Sequence, residues 1–180
     1  YRPQANSRVE IFNYYATLGT AQNLEQSGLG HEFWPAAMVY WTIARNVLRK
    51  DKEGKTPWEK RFPDDPFNGQ MVPYGALIWY KPPKPEVDKL NKFDVQQRWG
   101  VFMGWHMHPG GHWSRDYLVA PLCDFNETEE TRAPGTSKRI RVFRVREMSI
   151  PEGEQVFPCK DAADKAAGTI KKVPRSVCLE

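Results

Sequence analysis

The apolar residues of this 180-residue chain change their spacing at one charged segment, residues 49–57 (RKDKEGKTP). Before this segment, apolar side chains recur every three or four residues, which is the period of an amphipathic helix. After it, short β-rich runs alternate with Gly, Pro and Asp, a pattern that is typical of antiparallel strands. The change of period predicts an α+β chain in which a helical pair comes first and a small antiparallel β-barrel follows.

Two helices are predicted before the charged segment. The first covers residues 7–27 and ends at Gly28, because glycine readily adopts the left-handed conformation that follows many helices. Gly19 interrupts this helix at a cost of about 1 kcal/mol relative to Ala, which a close contact with another helix would explain. The second helix covers about residues 33–48, where Pro35 fits only the first turn. We expect the two helices to pack as an antiparallel pair or an open elbow.

Five short runs after the charged segment predict the strands of a small barrel or sandwich. They are residues 73–82, 99–108, 113–122, 139–148 and 154–159. The Gly-Gly pair in HPGGHW (108–113) is typical of a tight hairpin. We therefore divide the chain into helices (1–50), a linker (51–69), a β domain that includes a basic strand (70–160) and a loosely held tail (161–180).

Cysteine usage and hydropathy favour an intracellular protein. Cys123, Cys159 and Cys178 are odd in number and form no CxxC motif, which argues against a secreted disulfide framework and a thiolate zinc site. No apolar run reaches the roughly 18 residues that a membrane span needs, and no signal peptide is visible. We expect a nuclear or cytoplasmic protein that is not secreted, and the missing initiator Met predicts a fragment.

Positive charge is concentrated near the C-terminal end of the chain. The formal net charge is +4, and residues 138–180 carry ten Lys or Arg against six Asp or Glu. The run KRIRVFRVR (138–146) places five cations in nine residues. Such a run attracts polyanions, although a solvated basic strand or tail gives the same count.

The arginines of this run change phase along the predicted strand. They are Arg139, Arg141, Arg144 and Arg146. A β-bulge between Val142 and Phe143 would place all four on one face and the apolar residues on the other. Because arginine forks suit phosphate groups, that arrangement would bind nucleic acid, whereas an unbulged strand would split the arginines between its two faces.

Glu10 allows two interpretations. The stretch SRVE (7–10) matches a capping box, in which Ser7 caps the helix and Glu10 reaches back to the amide of Ser7. A carboxylate at the start of a rigid helix could instead bind a divalent metal. One acid does not hold magnesium in a hydrolytic site, and no partner pair of acids follows at a recognisable spacing.

Three histidines form a second candidate metal site. On a strand, His106 and His108 would face the same side, and His112 would return from the hairpin toward them. Such a group could bind zinc, but no acidic or thiolate ligand accompanies it. An exposed position on an edge strand is the interpretation that the spacing favours.

Five segments, in this order, resemble the integrases of copia-type retrotransposons. They are RPQANSRVEIFN (2–13), LEQSGLGHEFWPAAMVYWTIARN (24–46), GKTPWEKRF (54–62), VPYGALIWYKP (72–82) and KFDVQQRWGVFMGW (92–105). The first is similar to the family's Pro-x-x-Asn-Gly-x-x-Glu-Arg segment, which carries the final Glu of an Asp-Asp-Glu triad. The resemblance covers roughly residues 2–122, and no motif covers residues 123–180.

The resemblance implies a fold, a function and a set of site residues. The helical pair would be the tail of a ribonuclease-H-like integrase core, and the barrel would be SH3-like. Glu10 would be the third catalytic carboxylate, which binds Mg²⁺ together with two aspartates that lie upstream in the family and outside this chain. The chain would then take part in DNA integration without being catalytic alone. Nucleic acid would be bound by Asn6, Arg8, Arg139, Arg141, Arg144 and Arg146.

Two departures from the family pattern, together with a competing function class, leave alternatives open. Ser7 stands where the family has Gly, and Ile11 stands where it has Arg after the Glu. These changes are typical of a decayed or repurposed copy. The implied partners are DNA and a second copy of the chain in a homo-oligomer, with no membrane. The alternative is a non-catalytic module whose β-barrel binds protein and whose basic strand is ordinary surface.

Overall fold

The computed structural model describes residues 7–87, 91, 93–126 and 140–167, and it contains both helices and strands. The helices are α1 (Ser7–Ser27), α2 (Trp34–Leu48), α3 (Pro57–Arg61), α4 (Lys84–Val87), α5 (Leu122–Asn126) and α6 (Pro158–Ala166). The strands are β1 (Leu77–Tyr80), β2 (Arg98–Met107), β3 (Trp113–Pro121), β4 (Phe143–Val145) and β5 (Met148–Ser149). The α+β class is confirmed. Within the described ranges, no helix is long and apolar enough to cross a membrane.

The helical pair agrees with the sequence prediction in its boundaries and in its close contact. Gly28 follows α1 at φ +70°, and its amide donates to the carbonyl of Leu24 at 2.9 Å. A Cβ atom on Gly19 would lie 1.8 Å from Nε1 of Trp41 in α2. Gly19 is therefore the residue that lets the two helices approach each other.

The five strands form one antiparallel sheet in the order β4-β3-β2-β1-β5. Strands β2 and β3 make the predicted hairpin, which the amide of His108 closes by donating to the carbonyl of His112 at 2.8 Å. Gly110 and Gly111 have φ values of +93° and +83° in its turn. Residues other than glycine rarely adopt such values.

The connection between β4 and β5 forces the sheet to curl. The two strands lie at opposite edges of the sheet, yet only Arg146 and Glu147 separate them in the chain. In a flat sheet these edges would be about 19 Å apart, because neighbouring strands lie about 4.8 Å apart. The chain from Val145 to Met148 spans about 10 Å at most. The edges must therefore approach each other, and the sheet forms an open half-barrel.

The helices share their core with the sheet. Leu24, Leu29 and Ala37 pack in one buried cluster with Val101, Met103 and Ala120 of the sheet. In a second cluster, Tyr40 of α2 stacks on Trp105 with ring centroids 5.1 Å apart. The hydroxyl of Tyr40 donates to the carbonyl of Val72 at 3.0 Å, and burial raises its pKa to about 12. The division at residues 51–69 stays a prediction, but the segments on either side of it are packed together.

The structure corrects two predictions about the C-terminal region. Residues 154–159 are not a strand: the carbonyl of Val156 accepts one hydrogen bond from the amide of Leu77 at 2.8 Å, and Pro158 then begins α6. The first part of the loosely held tail expected over residues 161–180 is helical instead, because α6 continues to Ala166. Nζ of Lys160 lies 2.7 Å from Oε1 of Glu25, which ties α6 to α1. A proline at the first helical position favours this helix start locally.

Candidate nucleic-acid interface

Arg141 is bound to a buried carboxylate in the middle of α5. Its Nε donates to Oδ2 of Asp124 at 3.0 Å and its Nη2 donates to Oδ1 at 2.7 Å. The backbone amide of Arg141 also donates to Oδ2 at 3.0 Å. Burial would raise the pKa of Asp124, which is 3% exposed, but the hydrogen bonds from Arg141 outweigh it and hold that pKa below its ordinary value.

Arg144 and Arg146 share a second buried carboxylate, Asp116 of β3. Nη2 of Arg144 lies 2.6 Å from Oδ2 of Asp116, and Nε of Arg146 lies 3.1 Å from Oδ1. Burial again opposes ionisation, and the two arginines again hold the pKa of Asp116 below its ordinary value. The side chains of Arg144 and Arg146 are 51% and 81% exposed, so both guanidinium groups also face solvent.

The predicted β-bulge between Val142 and Phe143 is wrong. Strand β4 begins at Phe143, and its three residues pair with β3 in an unbroken register. Val142 is 48% exposed and does not face the barrel. Asp124 holds both the backbone and the side chain of Arg141, which keeps this part of the chain outside the ladder. The three arginines of the basic run that the structure describes are therefore divided between two carboxylates: Arg141 binds Asp124, and Arg144 and Arg146 bind Asp116.

A groove of about 320 Å³ lies where the end of β1 meets the link between β4 and β5. It is lined by Lys81, Pro82, Pro83, Lys84, Val87, Arg144, Val145, Arg146 and Glu147. Four of these residues are cationic and one is acidic. Nζ of Lys81 lies 3.5 Å from Oε2 of Glu147, and the amide of Lys81 donates to the carbonyl of Glu147 at 3.2 Å. We call this surface the basic groove.

The sequence prediction missed the two lysines of the basic groove. Lys81 and Lys84 flank two prolines in the stretch KPPK (81–84), and the fixed φ of proline makes such a segment a stiff support. That signal was available in the sequence. The pairing of β1 with β5, however, is what places these lysines beside Arg144 and Arg146.

The other predicted nucleic-acid residues lie elsewhere or outside the described ranges. Asn6 and Arg139 are not among the described residues. Arg8 and Glu10 are exposed in the first turn of α1. In the described part of the chain, no group of three or more His, Cys, Asp or Glu side chains could hold a metal ion.

The structure gives the histidines local roles. Oγ of Ser114 donates to the carbonyl of His106 at 2.6 Å and lies 2.9 Å from Nδ1 of the same histidine. The hydroxyl proton that is directed to the carbonyl is not available to Nδ1, so this second contact is a hydrogen bond in the tautomer in which Nδ1 donates. The ring of His112 packs on Phe62 with centroids 4.1 Å apart. His106 and His108 have ring centroids 5.7 Å apart.

Comparison with known proteins adds no relative. No family model matches the chain, and neither a curated protein nor a solved structure is significantly similar to it.

Proposed function

We propose that this chain binds DNA through the basic groove, as a part of a copia-type integrase that takes part in DNA integration. In this proposal, α1 and α2 are the last helices of a ribonuclease-H-like core, and the curled sheet is an SH3-like barrel. One observation carries the DNA-binding part: four cations from two distant segments line a single groove. The resemblance in residues 2–122 supports the integrase context.

The arginines of the basic groove are positioned before any ligand arrives. Asp116 accepts one hydrogen bond from Arg144 and one from Arg146. A guanidinium group has five N–H donors, so each arginine retains donors for a phosphate oxygen. Because a held side chain loses less conformational freedom on binding, this arrangement favours affinity for a phosphate backbone.

Glu10 keeps its proposed role only within a larger catalytic core. The family resemblance assigns Glu10 to a magnesium site that two upstream aspartates complete. We therefore propose that the chain alone is not catalytic and that its own contribution is DNA binding. A homo-oligomer is proposed on the same resemblance.

One exposed surface fits both the proposal and the competing function, a module that binds protein. The first twelve residues of α1 include six exposed large apolar side chains, Val9, Ile11, Phe12, Tyr14, Tyr15 and Leu18. A helix that is apolar on all sides is normally buried. A partner protein would cover such a helix, and so would the missing part of an integrase core.

DNA binding at several salt concentrations tests the proposal. We expect fluorescence anisotropy to show binding to unrelated duplexes, because phosphate contacts do not depend on sequence. Lys81→Gln with Lys84→Gln should weaken binding to all duplexes about equally and lower the salt slope by about two units. We replace the lysines rather than the arginines, because replacing Arg144 or Arg146 would also remove a hydrogen-bond donor from the buried carboxylate of Asp116.

The charge-matched control is Lys52→Gln with Lys55→Gln, in the loop that follows α2. This control should leave the salt slope close to that of the parent chain. An equal effect of both double variants would mean that only net charge matters, and the basic groove would not be the site. A parent chain that binds no duplex at low salt would overturn the proposal.

A further inference from the structure

Two tryptophans on the outer side of the sheet are not used by the core. Trp79 of β1 lies opposite Trp99 of β2, and their rings stack with centroids 3.5 Å apart at an interplanar angle of 26°. In the described part of the chain, neither hydrophobic cluster includes them. Trp99 is 36% exposed. The pair contributes to strand pairing, and both rings remain partly accessible to solvent.

The tryptophan pair adjoins the basic groove. Successive side chains of a strand point to opposite faces, so Lys81 projects to the same face as Trp79, about 7 Å farther along the chain. The backbone of Lys81 is still held by Glu147, as in a continuing strand. Ser149, which lies opposite Trp79, is two residues after Glu147 of the groove. The stacked rings therefore lie next to the Lys81 end of the basic groove along β1.

A surface with both cations and aromatic rings should distinguish single-stranded from double-stranded nucleic acid. A phosphate backbone is present in both single strands and duplexes, so the cations bind either. Only an unpaired base offers a free face to an aromatic ring, because the bases of a duplex already stack on one another.

We propose that this surface binds an unpaired stretch of nucleic acid, with phosphates in the basic groove and a base stacked on the Trp79–Trp99 pair. The inference rests on the proposed function and names its ligand as a single strand. Stacking of one base on an aromatic side chain corresponds to roughly a 5- to 150-fold gain in affinity. The intact chain should therefore bind a single strand more tightly than a duplex of equal length.

The test compares a thymidine 12-mer with a 12-base-pair duplex by anisotropy at one salt concentration. Trp99→Thr, which keeps a residue that favours strands, should lower affinity for the single strand about 5-fold or more and leave duplex affinity unchanged. Trp99→Phe retains a ring and should restore most of the lost affinity. The control is Trp34→Thr on α2, a tryptophan that is more exposed than Trp99 and lies outside the sheet, and it should change neither affinity.

The outcomes separate the two proposals. Equal binding of single strand and duplex, with no effect of Trp99→Thr, would overturn this inference and leave the basic groove as a duplex site. Loss of both affinities in Trp99→Thr but not in Trp99→Phe, with an unchanged far-ultraviolet spectrum, would also overturn it. A parent chain that binds neither probe would remove the proposed function and this inference with it.

Discussion

The guanidinium of Arg141 and the buried carboxylate of Asp124 are joined by two hydrogen bonds, 3.0 and 2.7 Å long. This pair connects α5 to the segment that leads into β4, across 17 positions of the chain. The carboxylate is almost fully buried, whereas the arginine side chain is about half exposed. The two partners therefore contribute differently to stability.

Arg141→Gln should destabilise the chain by about 1–3 kcal/mol, because a buried charged acceptor loses its strongest donors. Solvent at the exposed arginine screens the pair, so the cost stays below that of breaking a fully buried ion pair. Urea unfolding measures the change. Arg98→Gln, at an exposed position of β2, is the control and should cost less than 0.5 kcal/mol or so. Equal costs for both variants would contradict this role of the pair.

Acid should destabilise the chain through Asp116 and Asp124. The pKa of each is lowered in the folded state, so near the unfolded value of about 3.9 the folded state binds fewer protons than the unfolded state. The stabilisation is complete above that pH and is lost as the pH falls through the folded pKa values. Urea unfolding between pH 6 and 3 should show a falling free energy of unfolding. Asp124→Asn should make this decrease shallower, and an unchanged pH profile in that variant would count against the prediction.

Gly19→Ala should destabilise the helical pair although alanine is the better helix former. Propensity favours the alanine by about 1 kcal/mol, but its Cβ would meet the ring of Trp41 at 1.8 Å. Overpacking of this kind typically costs about 1–3 kcal/mol, so we expect a net loss measured by thermal or urea unfolding. Adding Trp41→Leu should remove part of the clash and give a non-additive double-mutant cycle. If Gly19→Ala alone were more stable than the parent chain, the helices could move apart without a loss of folding free energy, and the prediction would be wrong.

Arg115→Asn should stabilise the chain slightly. Arg115 has φ +61° within β3, the only non-glycine residue with positive φ among those described. Asparagine tolerates this conformation better than arginine does, and we expect a gain of about 0.5 kcal/mol in urea unfolding. Arg98→Asn, in ordinary strand conformation, should instead destabilise, because asparagine is disfavoured in strands. Destabilisation by Arg115→Asn would mean that the arginine side chain contributes contacts that outweigh the backbone strain.

Features that depend on neighbouring residues followed from the sequence. Helix α1 ends before Gly28 and the hairpin turns at Gly110 and Gly111, because positive φ is a property of single residues in their local setting. The period of apolar residues likewise identified α2 and the strands β2 and β3. The close approach at Gly19 was also predictable, since an unexplained glycine in a helix indicates a neighbour that needs its space.

Features that depend on pairing across the chain were decided by the tertiary structure. The run from Arg141 to Arg146 gave a local phase change, but the buried acids Asp116 and Asp124 determine where its arginines lie, and nothing in the run indicates them. Lys81 and Arg144 both line the basic groove. They come together only because β4 and β5, which are adjacent in the chain, form the two opposite edges of one curled sheet. The hydrophobic pattern of a strand indicates which of its faces is buried, but it does not indicate which other strand pairs with it. The sequence by itself therefore determined α1, α2, the β2–β3 hairpin and the distribution of charge, whereas the curl of the sheet brought the charges of the basic groove together.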